Sequence, residues 1–297
     1  MSILLDPEAA EAAFCVPACD GRFDPDFADY LAGLGRSRPS VLLAFAPKSA
    51  GTYLRSAAIA AVNGALVRTV HAQGGRDATF YLPTLLLYYA RNFPARPMVT
   101  HVHMQALPAN RHVIDAFGLK PVIMLRPIPD MLASFWDMLK KDHLSPDNWL
   151  NAQVPVQFTQ MDAERQGDFL IDIYGGWYAS YFATWLDYAR SAPEQVLVLE
   201  YDSFRADPVA TLERILAHSG LPRTAEQCRI ALDAVWENRG DFSFNQGVSG
   251  RGAERFTPSQ IERLRRQLSY YPDLAGMMHQ LIPPATFSEA HGSTAAA

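Results

Sequence analysis

Four short stretches of the chain, Val41–Ala46, Met98–Val102, Pro121–Leu125 and Val196–Glu200, are apolar at nearly every position and rich in leucine or β-branched residues. Alternation would mark strands with one wet face. Continuous apolar runs of this length instead predict strands buried on both faces, as in a parallel sheet covered by helices. Helical patterns lie between them: Thr52–Val62 after the first strand and Asp130–Lys140 after the third, with Pro129 just ahead of it. Asp207-Pro208 and Thr257-Pro258 read as an N-cap followed by proline at the first helical position, and Thr257 with Gln260 adds a capping box. Strand and helix alternate. The expected fold is therefore α/β, a single domain with a central parallel β-sheet flanked by helices. The boundaries read as an N-terminal extension with a short helix over 1–39, the domain over 40–285 and a flexible tail over 286–297.

Composition narrows the function classes. Of 297 residues, 49% are hydrophobic and 19% charged, with a formal net charge of −5, so the chain can bury a sizeable core. The acidic balance and the lack of a long Lys/Arg run argue against a surface built for nucleic acid. Cys15, Cys19 and Cys228 form neither an even disulfide set nor a zinc-ligand pattern, which fits a reducing cytoplasm and predicts no metal. No signal peptide or transmembrane segment is expected, and oligomeric state is unreadable.

In open parallel sheets, ligands bind beyond the carboxyl ends of strands. Two such junctions carry chemistry. The first, Ala46-Pro47-Lys48-Ser49-Ala50-Gly51-Thr52-Tyr53, runs from a strand into a helix through small residues and one lysine. Backbone N–H groups and the helix dipole suit an anionic phosphate there, with Lys48 as a positive charge. It lacks the Walker A pattern, and taken alone would be an ordinary turn with a surface lysine. The second is Leu125-Arg126-Pro127-Ile128-Pro129-Asp130, with Ser134 eight positions after the arginine. Arginine and a hydroxyl near a helix start form a plausible phosphate clamp; the structural alternative pairs Arg126 with Asp130 or Asp137.

These segments resemble motifs of the sulfotransferases that use 3′-phosphoadenosine 5′-phosphosulfate (PAPS). PKSAGTYL looks like their 5′-phosphosulfate loop and LRPIPDMLASFWDML like their 3′-phosphate motif, while Asn245–Gly252 is similar to the Arg- and Gly-bearing loop that closes over the nucleotide. VLVLEYDSFRADPVATLERIL and GGWYASYFATWLDYARS are weaker matches, and the resemblance covers roughly residues 40–272. It implies a nucleotide-binding topology like that of P-loop proteins, with PAPS as co-substrate. By resemblance, Lys48, Ser49, Ala50, Gly51 and Thr52 would hold the 5′-phosphosulfate, and Arg126, Ser134, Ser249, Gly250, Arg251 and Gly252 the 3′-phosphate. Tyr53 and Tyr201 would contact adenine. Lys48 would stabilise the leaving oxygen, with Ser134 helping to position the nucleotide. Ala50-Gly51 departs from the family's usual Gly-Thr.

Transfer to a hydroxyl needs a proton acceptor, and histidine suits that role at neutral pH. His101 and His103 lie two apart on a strand, where alternation predicts one face for both. His101 matches the family's Thr-His followed by Leu-Pro; His103 matches bacterial members that read His-apolar-x-Ala. His101 is slightly preferred and both are kept. The aromatic stripe Tyr174, Trp177, Tyr178, Tyr181, Trp185 and Tyr188 reads first as core and second as an acceptor wall. The acceptor, a small molecule, sugar or lipid with a hydroxyl, is expected beneath 73–93 and 140–168. The rival readings are a nucleotide kinase and an inactive nucleotide-binding module.

Overall fold

The structure, a computed structural model, describes residues 25–73, 76–90, 96–141, 154–238 and 250–284. Five strands form one parallel sheet: β1 (Ser40–Leu43), β2 (Ala65–Leu66), β5 (Met98–His101), β6 (Pro121–Leu125) and β7 (Leu197–Glu200), in the order β2-β5-β1-β6-β7. The four predicted strands are its body. β1 is shorter than its apolar run, yet Ala44 N–H still donates to the Val122 carbonyl at 2.9 Å, so the extended chain continues past the ladder toward the loop. β2 escaped the sequence reading because two residues show no periodicity. A separate antiparallel pair, β3 (Val70–Gln73) and β4 (Arg76–Phe80), flanks Gly74-Gly75, a dipeptide that signals hairpins.

Strand alternation divides the core into two layers. Val41, Leu43, Phe45, Val99, Val122, Met124 and Leu199 face helices Gly51–Val62, Pro208–His218 and Ala225–Glu237. Leu42, Ala44, Ala46, Met98, Val102, Ile123 and Leu125 face helices Pro25–Ser37, Pro108–Phe117, Ile128–Lys141 and Gly176–Ser191. A strand buried on both sides has no polar face to offer, which is why each run is continuously apolar. The caps also form: Asp207 accepts from Ala210 N–H at 2.9 Å, and Thr257 and Gln260 exchange bonds reciprocally. Thr224 and Gln227 make a second capping box with the same signature.

β1 sits at the centre, with β5 on one side and β6 on the other, so successive crossovers diverge at its carboxyl end. That topology opens a crevice where the Lys48 loop, the β5 end and the β6 end meet. Among the described residues no helix is long and apolar enough to cross a membrane.

Candidate active site

The loop after β1 turns through two non-glycine residues in left-handed conformation, Lys48 (φ 67°) and Ala50 (φ 63°). Such φ values cost an L-residue roughly 1–2 kcal/mol each and persist where the surroundings over-determine them. Ala50 is the N-cap of the Gly51–Val62 helix and supplies no side-chain cap, so the first-turn N–H groups receive no side-chain acceptor from it. A helix start left in this state suits an anion. Ser49 is fully buried, with its hydroxyl directed at Met131 Sδ at 3.2 Å. Its side chain thus faces the core, while Thr52 is exposed.

Arg126 joins the two junctions. Its guanidinium is buried, donates from Nη1 to the Lys48 carbonyl at 2.5 Å, and lies 4.1 Å over the Tyr201 ring. Asp130, buried at the start of the Ile128–Lys141 helix, accepts from Gly250 N–H at 2.8 Å and Gly252 N–H at 2.7 Å. Asp137 pairs with Arg251 through one oxygen and with Arg255 at 2.5 Å through the other. Asp130, Ser134 and Asp137 follow each other at helical spacing, so the hydroxyl lies between the two carboxylates that fasten residues 250–255. A Cβ on Gly252 would collide with the Pro129 and Asp130 backbone, which explains a glycine at this approach. Ser249 lies outside the described residues.

The two histidine rings meet edge to face, with centroids 4.6 Å apart. Their situations differ. His101 ends β5 beneath the loop: a Cβ on Gly51 would stand 2.9 Å from its Cδ2 and closer still to Cε1 and Nε2. His101 Nε2 is buried with no hydrogen-bond partner, and burial, then the charges of His103 and Arg55, holds its pKa well below the usual imidazole range. His103 lies past the strand end, with Nδ1 2.7 Å from the Phe45 carbonyl. A carbonyl only accepts, so Nδ1 carries a proton, and in the neutral ring Nε2 holds the lone pair.

On the opposite flank, Tyr53 packs between Phe204 and Trp236, at ring centroids of 6.2 and 6.4 Å. Trp236, 45% exposed beside Tyr53, is an aromatic neighbour that the sequence reading missed. It lies on the Ala225–Glu237 helix, far along the chain, and carries no local signal. Tyr201 is buried, with Arg126 already over its ring. The aromatic stripe is largely core: Tyr174, Tyr178, Tyr181, Trp185 and Tyr188 are all buried. Their polar ends hold the site's backbone, with Tyr178 donating to the Pro47 carbonyl at 3.2 Å, Tyr181 to Ala44 and Trp185 to Met104 at 2.9 Å. Among the described residues no group of three or more His, Cys, Asp or Glu side chains is arranged to hold a metal ion.

Residues 84–267 match the family model of the sulfotransferase domain, well over half of the chain. The chain belongs to the sulfotransferase family. The match includes both histidines, Arg126 and the Gly250–Gly252 segment, and begins after the Lys48 loop. Among solved structures, the mouse sulfotransferase SULT7A1 complexed with PAP superposes with a TM-score of 0.54 at 14% identity, covering 88% of this chain and 95% of the mouse chain. This sulfotransferase shares that fold. Retinol dehydratase in complex with androsterone and the inactive cofactor PAP gives a TM-score of 0.48 at 12% identity, over 86% of each chain. A sulfotransferase from Alicyclobacillus acidocaldarius gives 0.41 at 16% identity, over 81% of this chain and 96% of the other. No curated protein sequence matches significantly.

Proposed function

We propose that this sulfotransferase moves the sulfuryl group of PAPS to an acceptor hydroxyl, with His103 as general base. The observation that carries the reading is the convergence, at the carboxyl ends of β1, β5 and β6, of an anion-ready loop, a buried arginine and a histidine whose tautomer leaves Nε2 basic. In this mechanism the 5′-phosphosulfate rests on the N–H groups of 49–52, with Lys48 beside the bridging oxygen. Arg126, Ser134 and Arg251 receive the 3′-phosphate, with Gly250 and Gly252 fixing the segment through their bonds to Asp130, and Tyr53 with Trp236 flanks the adenine. His103 Nε2 takes the acceptor proton as the sulfur–oxygen bond to the acceptor forms and the bond to the nucleotide breaks, and the Phe45 carbonyl steadies the imidazolium through Nδ1–H. His101, packed under Gly51, supports the loop and the His103 ring. The PAP in the ligated mouse structure, the product left when PAPS gives up its sulfuryl group, supports the choice of donor. The buried Cys228 thiol and the acidic balance are compatible with a cytoplasmic setting.

Calorimetric titration with PAP, adenosine 5′-phosphosulfate and ATP tests the donor. PAP is expected to bind most tightly, because only it presents a 3′-phosphate to Arg126 and Arg251. Tighter binding of ATP would support the kinase reading instead. With radiolabelled PAPS and a panel of hydroxyl acceptors, His103→Ala is expected to lower the single-turnover rate by roughly 100- to 10,000-fold while PAP affinity persists. A larger loss in His101→Ala would move the base to His101.

A further inference from the structure

Two arginines beside the histidine pair take no part in the mechanism above. Arg55 is four residues past Gly51 on the same helix, so it stands one turn beyond the glycine that covers His101. It is half-buried, and its Nε is enclosed with no hydrogen-bond partner. Arg68 reaches the same end of the sheet by a different route. The segment after β2 is tied to β5 by Val67 N–H on the Val99 carbonyl at 3.1 Å and by a 2.9 Å bond between the buried hydroxyls of Thr69 and Thr100. Arg68 is thereby held at the β5 edge, between two residues tied to that strand, and it is exposed. The guanidinium of Arg68 is near enough to reinforce the effect of burial in lowering the pKa of Arg55.

Elsewhere arginines of the described residues meet carboxylates: Arg229 with Glu226 and Asp233, Arg111 and Arg190 with Asp187, Arg251 and Arg255 with Asp137, Arg263 with Asp168. Arg55 and Arg68 have none among the described residues, and they are close enough for each to feel the other's charge. Two like charges brought together, one with a donor buried and unsatisfied, make a site that a small anion would complete. The nucleotide phosphates are already assigned to the helix start before Gly51 and to the β6 side, whereas Arg55 stands one turn further along that helix and Arg68 at the β2–β5 edge.

We propose that the acceptor is a hydroxy acid whose carboxylate is held by Arg55 and Arg68 while its hydroxyl reaches the histidine pair. The inference rests on the sulfotransferase reading and deepens it by naming the acceptor's class. A bidentate guanidinium–carboxylate contact would fix the distance from anchor to hydroxyl, so that the arginines orient the acceptor and take no part in proton transfer.

The test uses the full chain saturated with PAP and titrated with matched pairs that differ only in charge. The pairs are 4-hydroxyphenylacetate with 4-hydroxyphenylacetamide, and lactate with lactamide. In at least one pair the acid is expected to bind at least about tenfold more tightly than the amide. Arg55→Gln should remove most of that preference and Arg68→Gln a smaller part, with PAP affinity unchanged. In turnover with PAPS, Arg55→Gln should raise KM for the acid while leaving KM for the amide in place. Equal binding of acid and amide in both pairs would overturn the proposal. So would a preference that survives in Arg55→Gln, or a loss of PAP affinity in that variant, which would assign Arg55 to the donor. Failure of the unaltered protein to bind PAP would instead remove the underlying sulfotransferase reading and this inference with it.

Discussion

Gly51→Ala separates local propensity from tertiary contact, because the two predict opposite signs. By helix propensity alone, alanine at the first helical position should stabilise by up to about 1 kcal/mol. The structure forbids that gain: the added methyl would stand 2.9 Å from His101 Cδ2 and closer to Cε1 and Nε2. Carbon atoms in ordinary contact sit about 3.5–4.0 Å apart, so ring and loop must separate by roughly 1 Å. The ring has little room, since it is wedged between Phe45 and His103 at centroids of 6.2 and 4.6 Å. Overpacking of this kind costs about 1–3 kcal/mol of stability, and misplacing a reacting group by about 1 Å can cost on the order of 100-fold in rate. The assay is a double-mutant cycle with His101→Ala, read by thermal melting, PAP calorimetry and single-turnover transfer. Removing the ring removes the clash, so Gly51→Ala should cost no more than about 0.5 kcal/mol in that background. An equal penalty in both backgrounds would refute the claim that His101 supports the loop through Gly51.

Ala50→Gly should relieve the left-handed N-cap and stabilise by up to about 1 kcal/mol, or roughly 2–4 °C in melting temperature for a chain of this size; an unchanged or lower melting temperature would count against stored strain at φ 63°. Asp130→Ala should leave the Gly250 and Gly252 N–H groups without their acceptor, cost about 1–3 kcal/mol and weaken PAP more than adenosine 5′-phosphosulfate. Equal weakening would mean the clasp does not serve the 3′-phosphate. Because the folded pKa of His101 is depressed, the unfolded chain binds the extra proton first, and stability attributable to this residue falls as pH drops below about 6.5. His101→Gln should therefore lose less melting temperature than the unaltered protein between pH 7.5 and 5.5; parallel slopes would show that His101 does not govern that limb.

Four strands of the sheet were legible in the chain because residues buried on both faces must be apolar in sequence as well as in space. The caps at Asp207 and Thr257 were legible because capping is a local bond between neighbours. β2 was not, since a two-residue strand exists only by virtue of the β5 edge it pairs with. The motif residues Lys48, Arg126, Ser134 and the two histidines could be named from the chain, but their partners could not. That Arg126 grips the Lys48 carbonyl, that Asp130 clasps the segment from Gly250 to Gly252, and that Trp236 stands beside Tyr53 are contacts across 78 to more than 120 residues, or between separate helices. The two histidines, equivalent by strand alternation, became distinct only when the fold put Gly51 over one ring and the Phe45 carbonyl against the other. Residue type and spacing determine which chemistry is available; the packing of distant segments decides which ring nitrogen faces a carbonyl and which cation finds a carboxylate.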